Sequence, residues 1–216
     1  MYYHKINAIF KRNRDNNKLI LGDFVNPTYE MLKNIDWIAF EKLDGTNTFV
    51  KFDGSNISFH GRTERAQLNK DLIAKYNELF TVEKLKEVFP DITENEPVLL
   101  YGEGISHKIQ SGGEYFKTGK GFNFVLFDIR IGKWWLTDNN VTEIAKNLNI
   151  DRAPYYFTKT LPEIIESVSS GLISHYGDFF AEGVVCKPVH QLFARNGERI
   201  ITKIKHVDFY GQHYGL

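Results

Sequence analysis

The heptad Glu41-Lys42-Leu43-Asp44-Gly45-Thr46-Asn47 sets a lysine at the exit of an apolar run, with an Asp-Gly pair two residues later. A turn of that kind displays the amine over whatever it faces, and a neutral amine is a nucleophile. A free lysine with a pKa of about 10.4 is neutral in only about one molecule in 2,500 at pH 7, so nearby cations or burial must favour the neutral form. Taken alone, the heptad reads equally well as a charged hairpin. Further segments supply what a lysine attacking a nucleotide phosphate needs. Gly61-Arg62-Thr63 offers a guanidinium suited to phosphate or ribose oxygens. Leu99–Gly104 ends an apolar run with Glu103 between two glycines, and Phe124–Asp128 brings the Phe127 ring to a strand end where a base could stack. Glu182-Gly183 opens the run Val184–Lys187, and Thr202-Lys203-Ile204-Lys205 projects two ammonium groups to one side.

Short strands and a few helices must hold these groups. Trp37–Glu41, Asn47–Phe52 and Asn56–His60 read as strands, the last two joined at Asp53-Gly54. Val98–Tyr101, Phe124–Ile129 and Val184–Lys187 read as buried strands. Alternation in Ile200–Lys205 puts Ile201, Lys203 and Lys205 on one face. Leu68, Leu72, Ile73, Tyr76, Leu79 and Phe80 recur at helical spacing, and Val82–Phe89 continues or restarts that helix. Asp138 is placed to cap a helix carrying Val141, Ile144, Ala145 and Leu148, and Leu161–Val168 predicts another. Strands and helices do not alternate regularly, so the spacing predicts an antiparallel-rich α+β fold. With no repeat and no Pro/Ser-rich linker, residues 1–216 read as a single domain.

Composition narrows the class. Twenty-seven Lys+Arg balance 27 Asp+Glu, which excludes a uniformly basic nucleic-acid coat but allows charge focused in one groove. Residues 1–20 hold Lys5, Lys11, Arg12, Arg14 and Lys18 against Asp15. Residues 187–205 hold Lys187, Arg195, Arg199, Lys203 and Lys205 against Glu198, whereas residues 83–103 are acidic. One cysteine, Cys186, excludes a disulfide framework and fits a reducing compartment. No long apolar run or leader-like start is present, so a soluble, cytoplasmic protein without membrane contact is expected. His107, His190 and His206 lack metal-ligand spacing, and the glycine-rich stretch Ser111–Gly121 lacks a phosphate-loop pattern and reads as a mobile loop.

In their order, these segments resemble the motifs of the covalent nucleotidyltransferases, the superfamily of polynucleotide ligases and mRNA-capping enzymes. Motif I is Lys42–Gly45, Ia Gly61-Arg62, III around Glu103, IIIa around Phe127, IV Glu182-Gly183 and V Lys203–Lys205. DNA ligases and capping enzymes carry arginine five residues after the lysine. Gly45-Thr46-Asn47 resembles instead the RNA ligase 2 type, which includes phage RNA ligases and kinetoplastid editing ligases.

That resemblance implies an adenylyltransferase domain with sheets flanked by helices and an ATP cleft between the sheets. It implies an ATP-dependent RNA ligase. Lys42 attacks the α-phosphorus of ATP and forms lysyl-AMP with loss of pyrophosphate. AMP passes to an RNA 5′-phosphate, and a 3′-OH then seals the ends. Lys203 and Lys205 would favour the neutral amine and offset charge on the α-phosphate. Glu41, Arg62, Glu103, Phe127 and Glu182 would bind the nucleotide: Glu103 at the ribose, Phe127 on the adenine, Arg62 at phosphate or ribose. Glu182 would hold Mg²⁺ through water, with Mn²⁺ able to substitute, and Asn47 would orient metal-bound water or the RNA 3′ end. RNA ends, as a nick or a splinted duplex, are the expected partners, RNA repair the expected setting, and a monomer the expected state. Larger members carry a further domain after motif V, and only 11 residues follow Lys205 here; a partner replacing that domain is one expectation. Two other readings are a DNA ligase or capping enzyme, against which Asn47 argues, and a nucleotide- or RNA-binding module without catalysis. Lys187 and Arg195 read equally as surface charge or as RNA contacts, and Cys186 as a buried hydrophobe.

Overall fold

A computed structural model describes residues 2–105, 115 and 122–210. The stretch Ser111–Gly121 and His107 lie outside the described residues, Tyr115 excepted. The chain divides into two compact units, one built from Asp44–Ala153 with the residues through His4, the other from Lys5–Leu43 and the chain from Pro154 onward. No helix among the described residues is long and apolar enough to cross a membrane.

The second of these units is a mixed five-stranded sheet. Its strands are β1 (Asn7–Ala8), β4 (Trp37–Glu41), β11 (Tyr155–Lys159), β12 (Gly183–Pro188) and β13 (Thr202–Lys205), in the order β1-β13-β12-β4-β11. β12 lies antiparallel between β13 and β4, whereas β1 runs parallel to β13. One face is packed. Trp37 and Ala39 of β4, Val184 and Cys186 of β12 and Ile204 of β13 are buried against Leu161, Ile164, Ile165 and Val168 of α5 (Leu161–Ser170). Those helix positions fall at i, i+3, i+4 and i+7, a single apolar stripe, and burying each is worth about 1.5–3 kcal/mol. The capping box of Thr160 and Glu163 starts the helix. The Trp37 indole N–H donates to the Leu32 carbonyl at 2.9 Å, so the buried ring leaves its polar edge satisfied. A small hairpin, β2 (Phe10–Arg12) with β3 (Leu19–Phe24), joins the same core through Phe10, Leu19 and Phe24, as does the short helix α1 (Pro27–Met31) through Tyr29.

The other unit is a sheet in the order β10-β8-β7-β5-β6, with β9 beside β8. These are β5 (Thr46–Phe52), β6 (Ile57–Gly61), β7 (Val98–Ile105), β8 (Asn123–Ile131), β9 (Trp134–Trp135) and β10 (Asp151–Arg152). Val50, Phe52, Val98, Leu100, Phe124, Leu126 and Ile129 form one buried face, packed with α2 (Lys70–Leu79), α3 (Val82–Val88) and α4 (Asp138–Leu148).

Several expectations need adjusting. β4 and β5 are not a hairpin: β4 lies between β12 and β11, and β5 between β6 and β7, so Lys42–Gly45 carries the chain from one unit to the other. The helix expected after Asp138 is capped by Thr137, whose hydroxyl accepts from Asn140 N–H, and Asp138 is its first residue. Leu68 precedes α2, which Asn69 caps, and Thr81 starts α3 as a separate helix. β7 runs on to Ile105 through two glycines, because a side chain at Gly102 would collide with the Phe124 ring at 2.4 Å. Cys186 is fully buried, and burial raises its thiol pKa.

Candidate active site

On the unpacked face of the sheet holding β4, alternation places Ile38, Phe40 and, one residue past the strand, Lys42. Registers Val185↔Phe40, Val185↔Lys203 and Gly183↔Lys205 put Val185, Lys187, Lys203 and Lys205 on that same face. Lys42 is fixed by its backbone N–H, which donates to the Gly183 carbonyl at 2.9 Å. Position 183 admits no side chain, since a Cβ would lie 2.0 Å from the Ile204 carbonyl oxygen. The close approach of β12 and β13 thereby brings Glu182 to the mouth of the lysine face. Its carboxylate bridges two ammonium groups: Lys42 Nζ reaches Oε2 at 2.5 Å and Lys205 Nζ reaches Oε1 at 2.5 Å. With 22, 15 and 31% of the Lys42, Glu182 and Lys205 side chains exposed, the trio is partly desolvated yet open to solutes. An ammonium has no lone pair to offer, so Lys42 would have to lose a proton before it could act as a nucleophile.

Lys203 stands on the same face at Val185 and Ala8. Lys187, read from sequence as possible surface charge, is only 9% exposed and lies with Nζ 5.4 Å from the Phe40 ring centre. Counting two residues on from Val185 places it there, but only the register with β4, Lys187 opposite Ile38 and Val185 opposite Phe40, reveals what it faces. Arg195 is exposed on the connection from β12 to β13. His206 donates its backbone N–H to the Glu182 carbonyl at 2.9 Å, and its ring Nδ1 meets the Val168 carbonyl at 2.9 Å.

Glu41 points the other way. As the last residue of β4 it follows Trp37 and Ala39 onto the packed face, where its side chain has no exposed surface. Oε1 accepts from Ser174 Oγ at 2.5 Å, and Oε2 from the His175 backbone N–H and Nδ1, both at 3.0 Å. Its side chain is therefore not brought together with Lys42, Glu182 and Lys205. Tyr156, the extra residue where β11 bulges between Tyr155 and Phe157, packs its ring 4.5 Å from that of His175. Burial first, then the Glu41 charge, raises the Tyr156 phenol pKa.

The remaining candidates belong to the other unit, on the sheet face away from its helices. Asn47 and Glu103 are register partners on β5 and β7. Gly45 permits this pairing to begin, since a Cβ there would sit 2.5 Å from the Gly104 carbonyl oxygen and 3.0 Å from Glu103 Cγ. Asn47 Oδ1 is buried and has no hydrogen-bond partner among the described residues, an acceptor in want of a donor. Phe127 is the extra residue of a β-bulge: Tyr101 pairs with Asp128 and Gly102 with Leu126, so the ring between them is re-aimed. It sits half-buried on a cluster of Phe49, Leu99 and Tyr101, with Tyr3 edge-on at 5.1 Å and the Tyr3 hydroxyl donating to Asp128 at 2.7 Å. Arg62 follows the last residue of β6 and is exposed. No sequence signal marks the part of Tyr3, because it comes from 124 residues away.

The metal expectation can be tested on these side chains. Among the described residues no three His, Cys, Asp or Glu side chains converge. A divalent ion would then rest on a single carboxylate with water completing its shell, which is how Mg²⁺ is commonly held. Glu182, a carboxylate at the mouth of the lysine face, fits an ion held in that way; in the other unit Asn47 Oδ1 is an acceptor of the kind a metal-bound water can meet.

Comparison with known proteins follows the same lines. The family profile described as RNA ligase matches residues 35–205. A Naegleria gruberi RNA ligase variant solved with ATP and Mn aligns at a TM-score of 0.65 and 21% identity, over 86% of this chain and 53% of its own. The Naegleria gruberi RNA ligase with PPi gives 0.65 and 22% over 86 and 53%, and another ATP- and Mn-bound variant 0.66 and 22% over 98 and 58%. These likenesses establish the nucleotidyltransferase fold, and the chain spans little more than half the length of those relatives. No curated protein sequence matches it. With the family profile covering most of the chain, from the strand before Lys42 to Lys205, this chain belongs to the RNA ligase family.

Proposed function

We propose that the protein is an ATP-dependent RNA ligase that joins 3′-OH and 5′-phosphate ends by way of a lysyl-AMP intermediate. The observation that carries this reading is the Glu182 carboxylate held between Lys42 and Lys205. A nucleophile and a phosphate-binding cation share one counter-ion that an incoming nucleotide can displace. Lys42 is the nucleophile in this reading. Its nitrogen forms the bond to the α-phosphorus as the bond to pyrophosphate breaks, and the amine proton leaves to solvent. Lys203 and Lys205 oppose the charge that builds on the α-phosphate oxygens, an interaction stronger in the transition state than before it.

Phe127 takes the adenine, Glu103 the ribose hydroxyls, and Arg62 a phosphate or ribose oxygen. Glu182 and the Asn47 carbonyl are the groups suited to Mg²⁺ or Mn²⁺ and its water, and the ion would supply further charge neutralisation at phosphate. ATP and Mn occur with the Naegleria ligase, which supports both assignments.

RNA repair at a nick or splinted duplex, in the reducing cytoplasm that one buried free cysteine suits, completes the reading. The protein acts as a monomer, with a partner helping to grip the two ends. Incubation with Mg²⁺ and ATP labelled at the α-phosphate should leave label on the protein through a denaturing gel, and Lys42→Ala should remove it. Absence of label on the unmodified protein, stripped of bound AMP, would leave only nucleotide or RNA binding. A labelled protein that seals no RNA nick would confine the activity to adenylylation.

A further inference from the structure

A carboxylate without exposed surface, at the end of a strand whose earlier inward residues are Trp37 and Ala39, is a costly thing for a fold to keep. An apolar side chain at position 41 would continue the stripe without desolvating a charge. What Glu41 gains is three donors from two consecutive residues, Ser174 Oγ, His175 N–H and His175 Nδ1–H.

The segment that supplies them closes without Glu41. Ala181 N–H donates to the Leu172 carbonyl and Ser174 N–H to the Phe179 carbonyl, each at 2.8 Å. Ser174 Oγ also accepts from Tyr176 N–H at 3.0 Å, and the Tyr156 hydroxyl holds the Ile173 carbonyl at 2.8 Å. Internal closure therefore does not require Glu41. The carboxylate adds a tie between this segment and the strand that carries Lys42.

The segment ends at Ala181, and Glu182 comes next. On its far side Glu182 is fixed by the sheet, through Lys42 N–H on the Gly183 carbonyl and His206 N–H on its own. On its near side the chain runs directly into it from the 172–181 segment. We propose that Glu41 is a positioning residue for the Lys42 amine: by holding Ser174 and His175 it sets where the Glu182 carboxylate meets Lys42. Two neighbouring residues thus act from opposite faces of one sheet, one bearing the amine and the other placing its counter-ion. This inference rests on Lys42 being the nucleophile.

Glu41→Gln tests it, because the amide keeps the shape but turns an N–H₂ toward a donor. Single-turnover labelling with α-labelled ATP should show the maximal rate falling about tenfold or more, half-saturating ATP within about twofold of the parent, and little change in melting temperature. Ser174→Ala, which removes one donor of the three, should give a smaller fall of the same kind and serves if Glu41→Gln does not fold. A rise in half-saturating ATP at unchanged maximal rate would make Glu41 a nucleotide contact and overturn the proposal, as would no change in either quantity. Acylation of Lys42 in the absence of ATP, read by peptide mass spectrometry against the other lysines, gives a second readout. It should change at least threefold in Glu41→Gln, and an unchanged Lys42 sinks the proposal even if the parent protein never labels with ATP. That last result would separately defeat the ligase reading.

Discussion

The two sheets spend their unpacked faces differently. In the unit built from Asp44–Ala153, the face bearing Asn47, Glu103 and Phe127 is largely aromatic, with Phe49, Tyr101, Tyr3 and Trp135 covering one another. Such a cluster contributes to stability whether or not a nucleotide is present. In the other unit, Lys42, Lys187, Lys203 and Lys205 crowd one face with Glu182 bridging two of them. Folding gains little from that arrangement, because partly exposed ion pairs contribute only about 0–1 kcal/mol each. Function and stability should therefore separate cleanly on the lysine face and stay entangled on the aromatic one.

The sharpest break would come at Lys42. Lys42→Ala should abolish adenylylation, yet change stability by no more than about 1 kcal/mol, as read by urea unfolding. Lys205→Ala should slow the labelling step about 10²-fold, with stability again nearly unaltered; a weakened half-saturation by ATP at full rate would contradict a role in the transition state. Phe127→Ala should behave otherwise. Loss of stacking, worth about 1–3 kcal/mol per base, should raise half-saturating ATP about tenfold. The same change should cost about 1–2 kcal/mol of stability, less than the about 3–5 kcal/mol of a fully enclosed ring.

The smallest effect concerns pH. Burial first, then the Lys51 charge, holds His60 below its ordinary pKa, so the unfolded chain takes up a proton before the folded one does. Stability is present above the unfolded value of about 6.5 and declines as pH falls toward the folded value. Protection against hydrogen exchange across residues 46–61, relative to the intrinsic rate at each pH, should fall over that interval. His60→Gln should flatten the response, leaving exchange in β12 and β13 as it was.

Much of this was legible in the sequence where periodicity and local chemistry coincide. Trp37–Glu41 is a strand to the residue, and the stripe Leu161, Ile164, Ile165 and Val168 announces its helix. Glu103 and the pair Lys203 and Lys205 fall on strands as expected. What stayed hidden depends on pairing across the chain. Asn7 and Ala8 show no strand pattern and become one only by lying parallel to Thr202 and Lys203. Phe127 owes its direction to a bulge that no residue type announces, and Lys187 owes its burial to the neighbouring strand β4. Glu41 looked like part of a nucleotide site because it precedes Lys42, whereas alternation alone sends its carboxylate to the opposite face.

The order in which the chain is made has its own consequence. The unit containing Lys42 needs both arms of the polypeptide, since Lys42 stands near residue 43 while its counter-ion and the second ammonium wait at 182 and 205. At about 5–20 residues per second, a ribosome leaves that amine unaccompanied for about ten to thirty seconds. The continuous stretch from Asp44 to Ala153 can collapse during this time, so the lysine cluster would be completed only once residues 182 and 205 have also been made.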